Sequence, residues 1–259
     1  MMLSKWFVRY GAAQPQAPRL LVACHFAGGA ASAFRQWPAL LAGEAECISV
    51  QLPGRETRID EPFCLCLDTV AKSACDAIAT VARGRPVSLF GHSMGALIAL
   101  AIAQQVQRAG SFGLDGLAVS ARRAPHLPVF EPDLLHCSDA TLLECLRAFD
   151  GLPPEVLDEP ELKGKLLDRV RADFVLADAG RRLAPPERGL HCPLLALGGV
   201  DDQTVGLAHL LPWQRYTASA FKLALMPGGH FYLRAPSNMR RLRTALLDFP
   251  SAVSPSQPL

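Results

Sequence analysis

The stretch Pro86-Val-Ser-Leu-Phe-Gly-His-Ser-Met-Gly-Ala96 decides the fold of this chain. Its short apolar run, 87–90, stops at Gly91, and the apolar run that follows from Ala96 has the character of a buried helix. The pattern G-x-S-x-G between them predicts a strand, a sharp turn and a helix, because a side chain at Gly91 or Gly95 would collide with the neighbouring strand or helix. We expect the strained turn to lift the Ser93 hydroxyl clear of the sheet, where the helix N-terminus favours developing negative charge.

A serine at such a turn requires an acid and then a histidine later in the chain. A strand-like run is followed by Gly199, Asp201 and Asp202, and a later glycine-rich loop carries His230. Both positions follow predicted strands, at the edge where open parallel sheets build their sites. The two aspartates are nearly equal candidates. The order of serine, acid and histidine is that of the α/β-hydrolases. We choose Asp202, which lies three residues after Gly199 and three before Val205, the G-x-x-D-x-x-V spacing usual in such hydrolases.

These residue types suit acyl transfer through a covalent intermediate. A serine hydroxyl is a poor nucleophile on its own, so His230 must take the proton of Ser93 during attack, while the aspartate holds the imidazole in the required tautomer. The backbone N–H of Met94 is expected to supply half of an oxyanion hole. The other half is expected from the loop 26–29, and losing one such donor typically costs ~10²–10³ in turnover.

Two other histidines compete for the role of base. His92 is adjacent to Ser93, and successive side chains in a tight turn point apart, whereas His25 lies within or at the end of a predicted strand. A lone histidine after two glycines is more often a turn residue, and an acidic pair after two glycines is often only a turn. All three signals nevertheless occur in the required order, each after a strand-like run. We therefore rank His25 and His92 far below His230.

The composition of the 259 residues limits the possible functions. Half of the residues are hydrophobic and 19% are charged, so a large core can be buried. The formal net charge of +2 gives no argument for nucleic acid or an anionic membrane as partner, and no stretch reaches the ~20 apolar residues of a membrane span. Arginine clusters at 122–123, 181–182 and 240–243 are expected to be mostly solvated surface, with a docking patch for an acidic partner as the less favoured alternative.

The eight cysteines include no C-x-x-C pair, which leaves a zinc site unsupported. Most of them lie in apolar stretches, where a free cysteine behaves as a small hydrophobe. Residues 1–10 contain no apolar run long enough for a secretory signal. We therefore expect a cytoplasmic protein without a bound metal.

Strand-like and helical segments alternate along most of the chain. The predicted strands are 19–26, 47–52, 87–90, 114–119, 193–197 and 221–226. The predicted helices are 31–41 with an interruption at Pro38, 66–82, the segment after the turn, and 236–249. This alternation predicts a single α/β domain over residues 1–259, with a mostly parallel central sheet and helices on both faces.

The alternation stops between about 125 and 190. Residues 139–149 and 161–176 have amphipathic helical patterns, and a turn-rich piece at 150–154 separates them. We interpret this region as a helical lid inserted before the acid motif. Packing helices of the main domain are the alternative interpretation.

With these residues in place, the chain resembles the type II thioesterases of nonribosomal peptide and polyketide synthase clusters, which belong to the α/β-hydrolase superfamily. The resemblance covers roughly residues 19–248. The turn motif is shared by many hydrolases, but its combination with Ala27-Gly28-Gly29 and Pro53-Gly54-Arg55-Glu56 is much more specific. The other matching segments are 24–34, 124–126, 167–174 with its Arg171-Ala172-Asp173 core, and 227–232.

The resemblance implies an α/β-hydrolase fold and a cytoplasmic enzyme, expected as a monomer, that needs no cofactor. Such enzymes hydrolyse acyl or aminoacyl thioesters from the phosphopantetheine arm of acyl or peptidyl carrier proteins and clear stalled or misprimed chains. By resemblance, the triad is Ser93, Asp202 and His230, and the amides of Ala27 and Met94 are the oxyanion donors. His25-Phe26 stands where relatives often carry other residues before Ala-Gly-Gly, so Phe26 remains an alternative to Ala27.

Three other functions compete with this interpretation. A carboxylester hydrolase of small free substrates would carry the same triad. An acyltransferase also uses G-H-S-x-G, but such chains are usually longer and lack a strand-end aspartate before a late histidine. A non-catalytic binding protein on a hydrolase scaffold would not require the complete triad.

Overall fold

A seven-stranded sheet forms the centre of the part of the chain that the structure describes. The structure is a computed structural model and describes residues 4–128, 134–148 and 159–249. The strands are β1 (Phe7–Val8), β2 (Leu20–Cys24), β3 (Glu46–Val50), β4 (Val87–His92), β5 (Leu114–Ser120), β6 (Leu194–Gly199) and β7 (Phe221–Met226). They lie in the order β1-β3-β2-β4-β5-β6-β7, and each neighbouring pair is parallel except β1 with β3. The prediction of a mostly parallel sheet is therefore confirmed.

Helices cover both faces of this sheet, as predicted. The helices are α1 (Trp37–Leu40), α2 (Leu67–Ala82), α3 (Met94–Ala109), α4 (Asp139–Ala148), α5 (Pro160–Gly180), α6 (Leu207–Leu210) and α7 (Met239–Asp248). Along β2, Leu20 and Val22 pack on one side with α2 and α3, whereas Leu21 and Ala23 pack on the other side with α1 and α7. Alternate residues of a strand point to opposite faces, so both faces of β2 are buried, which explains its uninterrupted apolar sequence.

Two local features differ from the sequence-based prediction. Strand β1 was not predicted, because two residues are too few to show an alternating pattern; they pair antiparallel with β3. The predicted helix 31–41 is a 3₁₀ turn, Ala31–Phe34, followed by the short α1. Pro38 lies in the first turn of α1. Proline lacks an N–H and is tolerated there, but it would disrupt a helix that continued through it.

The order of the strands brings the turn at Ser93 beside the loop that follows β2. The chain passes outward from β2 to β3 and then returns past β2 to β4, so successive connections leave β2 and β4 in opposite directions. Such a switch in direction opens a crevice at the carboxyl edge of a parallel sheet. Because Cys24 pairs with Gly91, the loops after β2 and β4 begin at the same level. The loop 26–29 and Ser93 therefore share one edge of the crevice.

The two amphipathic helices of the predicted lid are α4 and α5. Leu142 and Leu146 of α4 pack with Leu167 and Val170 of α5 in an apolar cluster of their own. The C-terminal half of α5 instead joins the main core. Helix α5 thus packs on α4 with its N-terminal half and on the sheet domain with its C-terminal half, and the interpretation of this region as a lid stays a prediction.

The turn-rich piece predicted at 150–154 and the C-terminal residues 250–259 lie outside the described residues. The lid boundaries at about 125 and 190, and the single domain over residues 1–259, stay predictions. Within the described ranges, no helix is both long enough and apolar enough to cross a membrane.

A methyl group at position 95 is expected to destabilise this fold. An added Cβ at Gly95 would overlap the backbone carbonyl group of Cys24, which cannot move without distorting β2. Because overpacking at a rigid site costs about 3 kcal/mol, we expect a Gly95→Ala variant to unfold at clearly lower denaturant concentration. Gly113→Ala is the control, since its Cβ would meet open space, and we expect a change below about 0.5 kcal/mol. Denaturation followed by circular dichroism measures both; equal stability of the two variants would contradict the steric argument.

Candidate active site

Ser93 has the strained backbone that its motif predicts. It separates β4 from α3 with φ 55° and ψ −117°, a region that residues other than glycine rarely occupy. An added Cβ at Gly91 would overlap the carbonyl group of Gly95, and one at Gly95 would overlap that of Cys24. Only glycine permits these close approaches. They hold Ser93, which is half-buried, at the N-terminus of α3.

His230 and Asp202 form a hydrogen-bonded pair on the loops after β7 and β6. The Nδ1–H of His230 donates to Asp202 Oδ2 at 2.8 Å. Oδ1 of Asp202 accepts hydrogen bonds from the backbone N–H groups of Thr204 and Val205 and from the Thr204 hydroxyl. Burial alone would raise the pKa of Asp202, but the hydrogen bond and charge of His230 and the donors of Thr204 lower it to about 2. The carboxylate is thus ionised at neutral pH and holds the proton of His230 on Nδ1.

Asp201, the alternative acid, lies in a different environment. Its side chain is exposed, and its Oδ2 accepts a hydrogen bond from the Gly228 N–H at 3.2 Å. Its own N–H donates to the Gly228 carbonyl at 3.0 Å. Asp201 therefore joins the loop after β6 to the loop after β7, while Asp202 is the neighbour that contacts His230.

The two competing histidines are buried beside the site rather than paired with a carboxylate. Burial lowers the pKa of His25 to about 3 and holds the pKa of His92 well below its usual value. His25 Nδ1 lies 2.9 Å from the carbonyl oxygen of Phe26. The ring of His92 packs 5.3 Å from the ring of His230, centroid to centroid. Both rings are therefore neutral at physiological pH, and the ring of His92 forms part of the wall beside His230.

His92 also belongs to a buried hydrogen-bond chain that the sequence did not reveal. Its Nδ1 lies 2.8 Å from the Ser120 hydroxyl, which lies 2.5 Å from the Tyr232 hydroxyl. Ser120 is the last residue of β5, and Tyr232 follows His230 by two residues. The chain thus ties the turn at β4 to the histidine loop. Its only sequence signal is that His92 and Ser120 closely follow the ends of two predicted strands, 87–90 and 114–119.

The loop after β2 has two of its amides already engaged. The N–H of Gly28 donates to Asp173 Oδ2 at 2.8 Å, and the N–H of Gly29 donates to the Phe26 carbonyl at 3.0 Å. The donor that this loop would offer to an oxyanion must therefore come from an earlier peptide. Ala27 and its alternative Phe26 both stay predictions, as does Met94 at the start of α3.

A cavity of about 440 Å³ brings the predicted residues together. Ser93, His230 and the loop residues Phe26, Ala27 and Gly28 all line it. Its volume falls within the ~300–1,000 Å³ typical of small-molecule sites. The lid helices contribute an apolar wall formed by Leu146, Leu166, Val170, Phe174 and Ala177. The arrangement can hold an acyl group against a hydroxyl, an imidazole and a backbone turn.

Three arginines line the same cavity: Arg122, Arg123 and Arg181. Arg240 and Arg241 are exposed, as expected for most arginines of these clusters, whereas the three that line the cavity are half-buried. A signal was present for the first two, because they follow directly after β5 at the carboxyl edge of the sheet. The position of these two arginines after a strand therefore indicated their place in the site better than the clustering of positive charge did.

Comparison with known proteins agrees with this geometry. Residues 19–249 match the thioesterase domain family. The thioesterase PikA5 of Streptomyces venezuelae is 36% identical over 234 residues, which cover 88% of this chain and 80% of PikA5. RedJ, a thioesterase from the prodiginine biosynthetic pathway of Streptomyces coelicolor, has a TM-score of 0.82 at 33% identity, covering 96% of this chain and 99% of RedJ. YbtT, a type II thioesterase from the yersiniabactin NRPS/PKS biosynthetic pathway, has a TM-score of 0.81 at 28% identity, covering 96% of this chain and 100% of YbtT.

These similarities cover at least 88% of this chain and at least 80% of each relative. They confirm the resemblance inferred from the motifs and the α/β-hydrolase fold that it implied. The chain belongs to the thioesterase domain family, as a serine hydrolase of the type II thioesterase kind.

Proposed function

We propose that this enzyme hydrolyses acyl and aminoacyl thioesters from the phosphopantetheine arm of carrier proteins, and so removes stalled or misprimed groups from a nonribosomal peptide or polyketide synthase. The observation that carries the proposal is the 440 Å³ cavity in which Ser93 and His230 meet an apolar wall from α4 and α5. A slim arm with a short acyl group suits a cavity of this size. The pathways of RedJ and YbtT support the same assignment.

In the proposed mechanism, Ser93 Oγ attacks the thioester carbonyl carbon while His230 Nε2 takes the hydroxyl proton. The amides of Met94 and Ala27, or of Phe26 in place of Ala27, stabilise the tetrahedral oxyanion. The C–S bond then breaks, and His230 returns the proton to the departing pantetheine sulfur. The acyl group remains on Ser93 as an ester.

Deacylation repeats the same steps with water. The oxygen of a water molecule attacks the ester carbonyl carbon while His230 takes a proton from the water. His230 then returns that proton to Ser93 Oγ as the free acid departs. Asp202 stays ionised throughout, which its lowered pKa of about 2 supports. A thioester has less resonance stabilisation than an ester, so this machinery suffices and we propose no cofactor or metal in the reaction.

The proposed macromolecular partners are acyl or peptidyl carrier protein domains, and the proposed location is the cytoplasm. All eight cysteines are free thiols, which supports a reducing compartment. A monomeric state stays a prediction.

Release of free acid from acyl carrier proteins tests the proposal. We expect kcat/KM for a short-chain acyl group on a holo-carrier protein to exceed that for an aryl ester of the same acyl group by about 10-fold or more. The physical reason is that remote contacts with the carrier and its arm add binding energy that an aryl ester lacks. Mass spectrometry of the carrier protein and quantification of the free acid measure both reactions.

Two outcomes would contradict the proposed substrate. Faster turnover of the aryl ester than of the loaded carrier protein would favour an esterase of small free substrates. Transfer of the acyl group to a second thiol or alcohol, without release of acid, would favour an acyltransferase. The same acyl group on free pantetheine is the matched control, because it separates the contribution of the arm from that of the carrier protein.

A further inference from the structure

A buried ion pair links the lid helix to the loop after β3. Arg55 donates from Nη2 to Asp173 Oδ1 at 2.8 Å and from Nη1 to Asp173 Oδ2 at 2.9 Å. The two side chains are 2% and 0% exposed. They lie 118 residues apart in the chain, in two of the segments that carry the family resemblance. Neither residue has a role in the mechanism above.

Both members of this pair also hold the loop that is expected to supply an oxyanion donor. Asp173 Oδ2 accepts the N–H of Gly28 at 2.8 Å, and Arg55 Nη1 donates to the carbonyl oxygen of Gly29 at 3.0 Å. The pair therefore forms hydrogen bonds with two consecutive residues of the loop, with Gly28 through its N–H and with Gly29 through its C=O. The residue immediately before them is Ala27.

Helix α5 presses on the same loop. Gly28 has φ +76°, and an added Cβ there would lie 2.9 Å from Val170 Cγ2 and 3.5 Å from Leu166 Cδ1. Val170 is one turn of α5 before Asp173. Gly28 thus has a left-handed backbone conformation, has no room for a side chain beside Val170 of α5, and donates a charge-assisted hydrogen bond to Asp173 of the same helix.

Arg55 is itself held from behind. Its carbonyl oxygen accepts a hydrogen bond from Gln51 Nε2 at 3.0 Å, and Gln51 Oε1 accepts the N–H of Ala31 at 3.0 Å. Gln51 directly follows β3, so this hydrogen bond fixes the backbone of Arg55 relative to the sheet. A buried ion pair is weak support for stability by itself, because desolvation opposes the attraction of the charges. The placement of this pair against loop amides calls for a positional explanation.

We propose that Asp173 and Arg55 are positioning residues that set the oxyanion hole. Asp173 holds the Gly28 amide in a fixed position relative to helix α5, and Arg55 holds the Gly29 carbonyl in a fixed position relative to the sheet. Together they orient the preceding peptide so that its N–H points at the acyl oxygen. The inference rests on the proposed acyl transfer to Ser93, but it holds for any acyl substrate of this site.

An Asp173→Asn variant tests the role. We expect kcat to fall about 10–100-fold with KM within about threefold of wild type, because a displaced donor costs less than the ~10²–10³ of a lost one. The affinity of an alkyl boronic acid, which forms a tetrahedral adduct with Ser93, should weaken by the same factor as kcat. The affinity of pantetheine, which forms no oxyanion, should stay unchanged.

A control and a second variant separate positioning from folding. Asp139→Asn is the control: Asp139 begins helix α4, and its Oδ1 accepts a hydrogen bond from Arg171 Nη2 of α5 at 2.7 Å, so the substitution changes another carboxylate–arginine pair that involves α5. It should keep wild-type kcat. The double variant Arg55→Met, Asp173→Leu replaces the pair with apolar side chains, a change that is often neutral for stability, and should still lose kcat and boronic acid affinity.

Several results would overturn the inference. A folded double variant with wild-type kcat and boronic acid affinity would show that the loop needs neither residue. A rise in KM alone, or an equal loss in Asp139→Asn, would assign the effect to the lid as a whole. If neither Asp173 variant folds, Arg55→Lys decides, since it keeps the charge and loses the two-pronged attachment: unchanged kcat would refute the role. The boronic acid needs no carrier protein, so failure of the proposed substrate leaves this test intact.

Discussion

A Ser93→Ala variant is expected to lose thioester hydrolysis by roughly 10⁴-fold or more, because no acyl-enzyme can form without the hydroxyl. The fold should survive. The Ser93 backbone keeps its hydrogen bonds, since its N–H donates to Ser120 O at 2.8 Å and its carbonyl accepts the Ala96 N–H at 3.1 Å. Alanine can occupy the same strained φ and ψ at a cost similar to that of serine.

Two measurements check the Ser93 prediction. Steady-state release of acid gives the loss in turnover, and mass spectrometry after brief incubation with an acyl thioester should show an acyl adduct on the wild type and none on Ser93→Ala. Ser88→Ala is the matched control, because Ser88 is a buried serine of β4, the strand that leads into Ser93, and it does not line the cavity. Full hydrolysis by the Ser93→Ala variant would refute the catalytic assignment.

An Asp202→Asn variant is expected to lose about 10³–10⁴-fold in kcat, whereas Asp201→Asn should stay within about 10-fold of wild type. Asp202 accepts the Nδ1 proton of His230 at 2.8 Å, and an amide there would favour the tautomer that cannot accept the serine proton. Asp201 instead accepts from the Gly228 N–H, which an asparagine oxygen can also do. Parallel kinetics on the two variants measure the difference, and a larger loss in Asp201→Asn would exchange their roles.

Acid unfolding gives a second measurement on the same pair of variants. The pKa of Asp202 is lowered from 3.8 to about 2 in the folded protein. Between these values the unfolded chain binds more protons than the folded one, so the stabilising contribution is complete above pH ~4 and is lost as the pH falls towards 2. Its size is on the order of 2 kcal/mol. We expect the stability of Asp202→Asn to fall less steeply over this window than that of wild type, and Asp201→Asn, which keeps the Asp202 carboxylate, is measured in parallel.

Much of the site was predictable because its parts are local or ordered along the chain. The turn at Ser93 depends on glycines two residues away on either side, whose close contacts follow from the motif itself. The alternation of apolar strands and helices predicted a parallel sheet, and the order of serine, acid and histidine predicted which loops meet at its edge. These features need only short-range sterics and the rule that parallel strands end at one edge.

Only the tertiary structure shows which residues of separate loops and helices are in contact. The G-x-x-D-x-x-V spacing favoured Asp202 over the adjacent Asp201, but the contact of Asp202 with His230 depends on how the loops after β6 and β7 meet. The Arg55–Asp173 pair joins positions 118 residues apart, which no pattern in the sequence brings together. Sequence alone determined the chemistry at the turn of Ser93; the packing of α5 on the loop after β2 decided how that chemistry is oriented, because hydrogen-bond partners are set by distances in space and not along the chain.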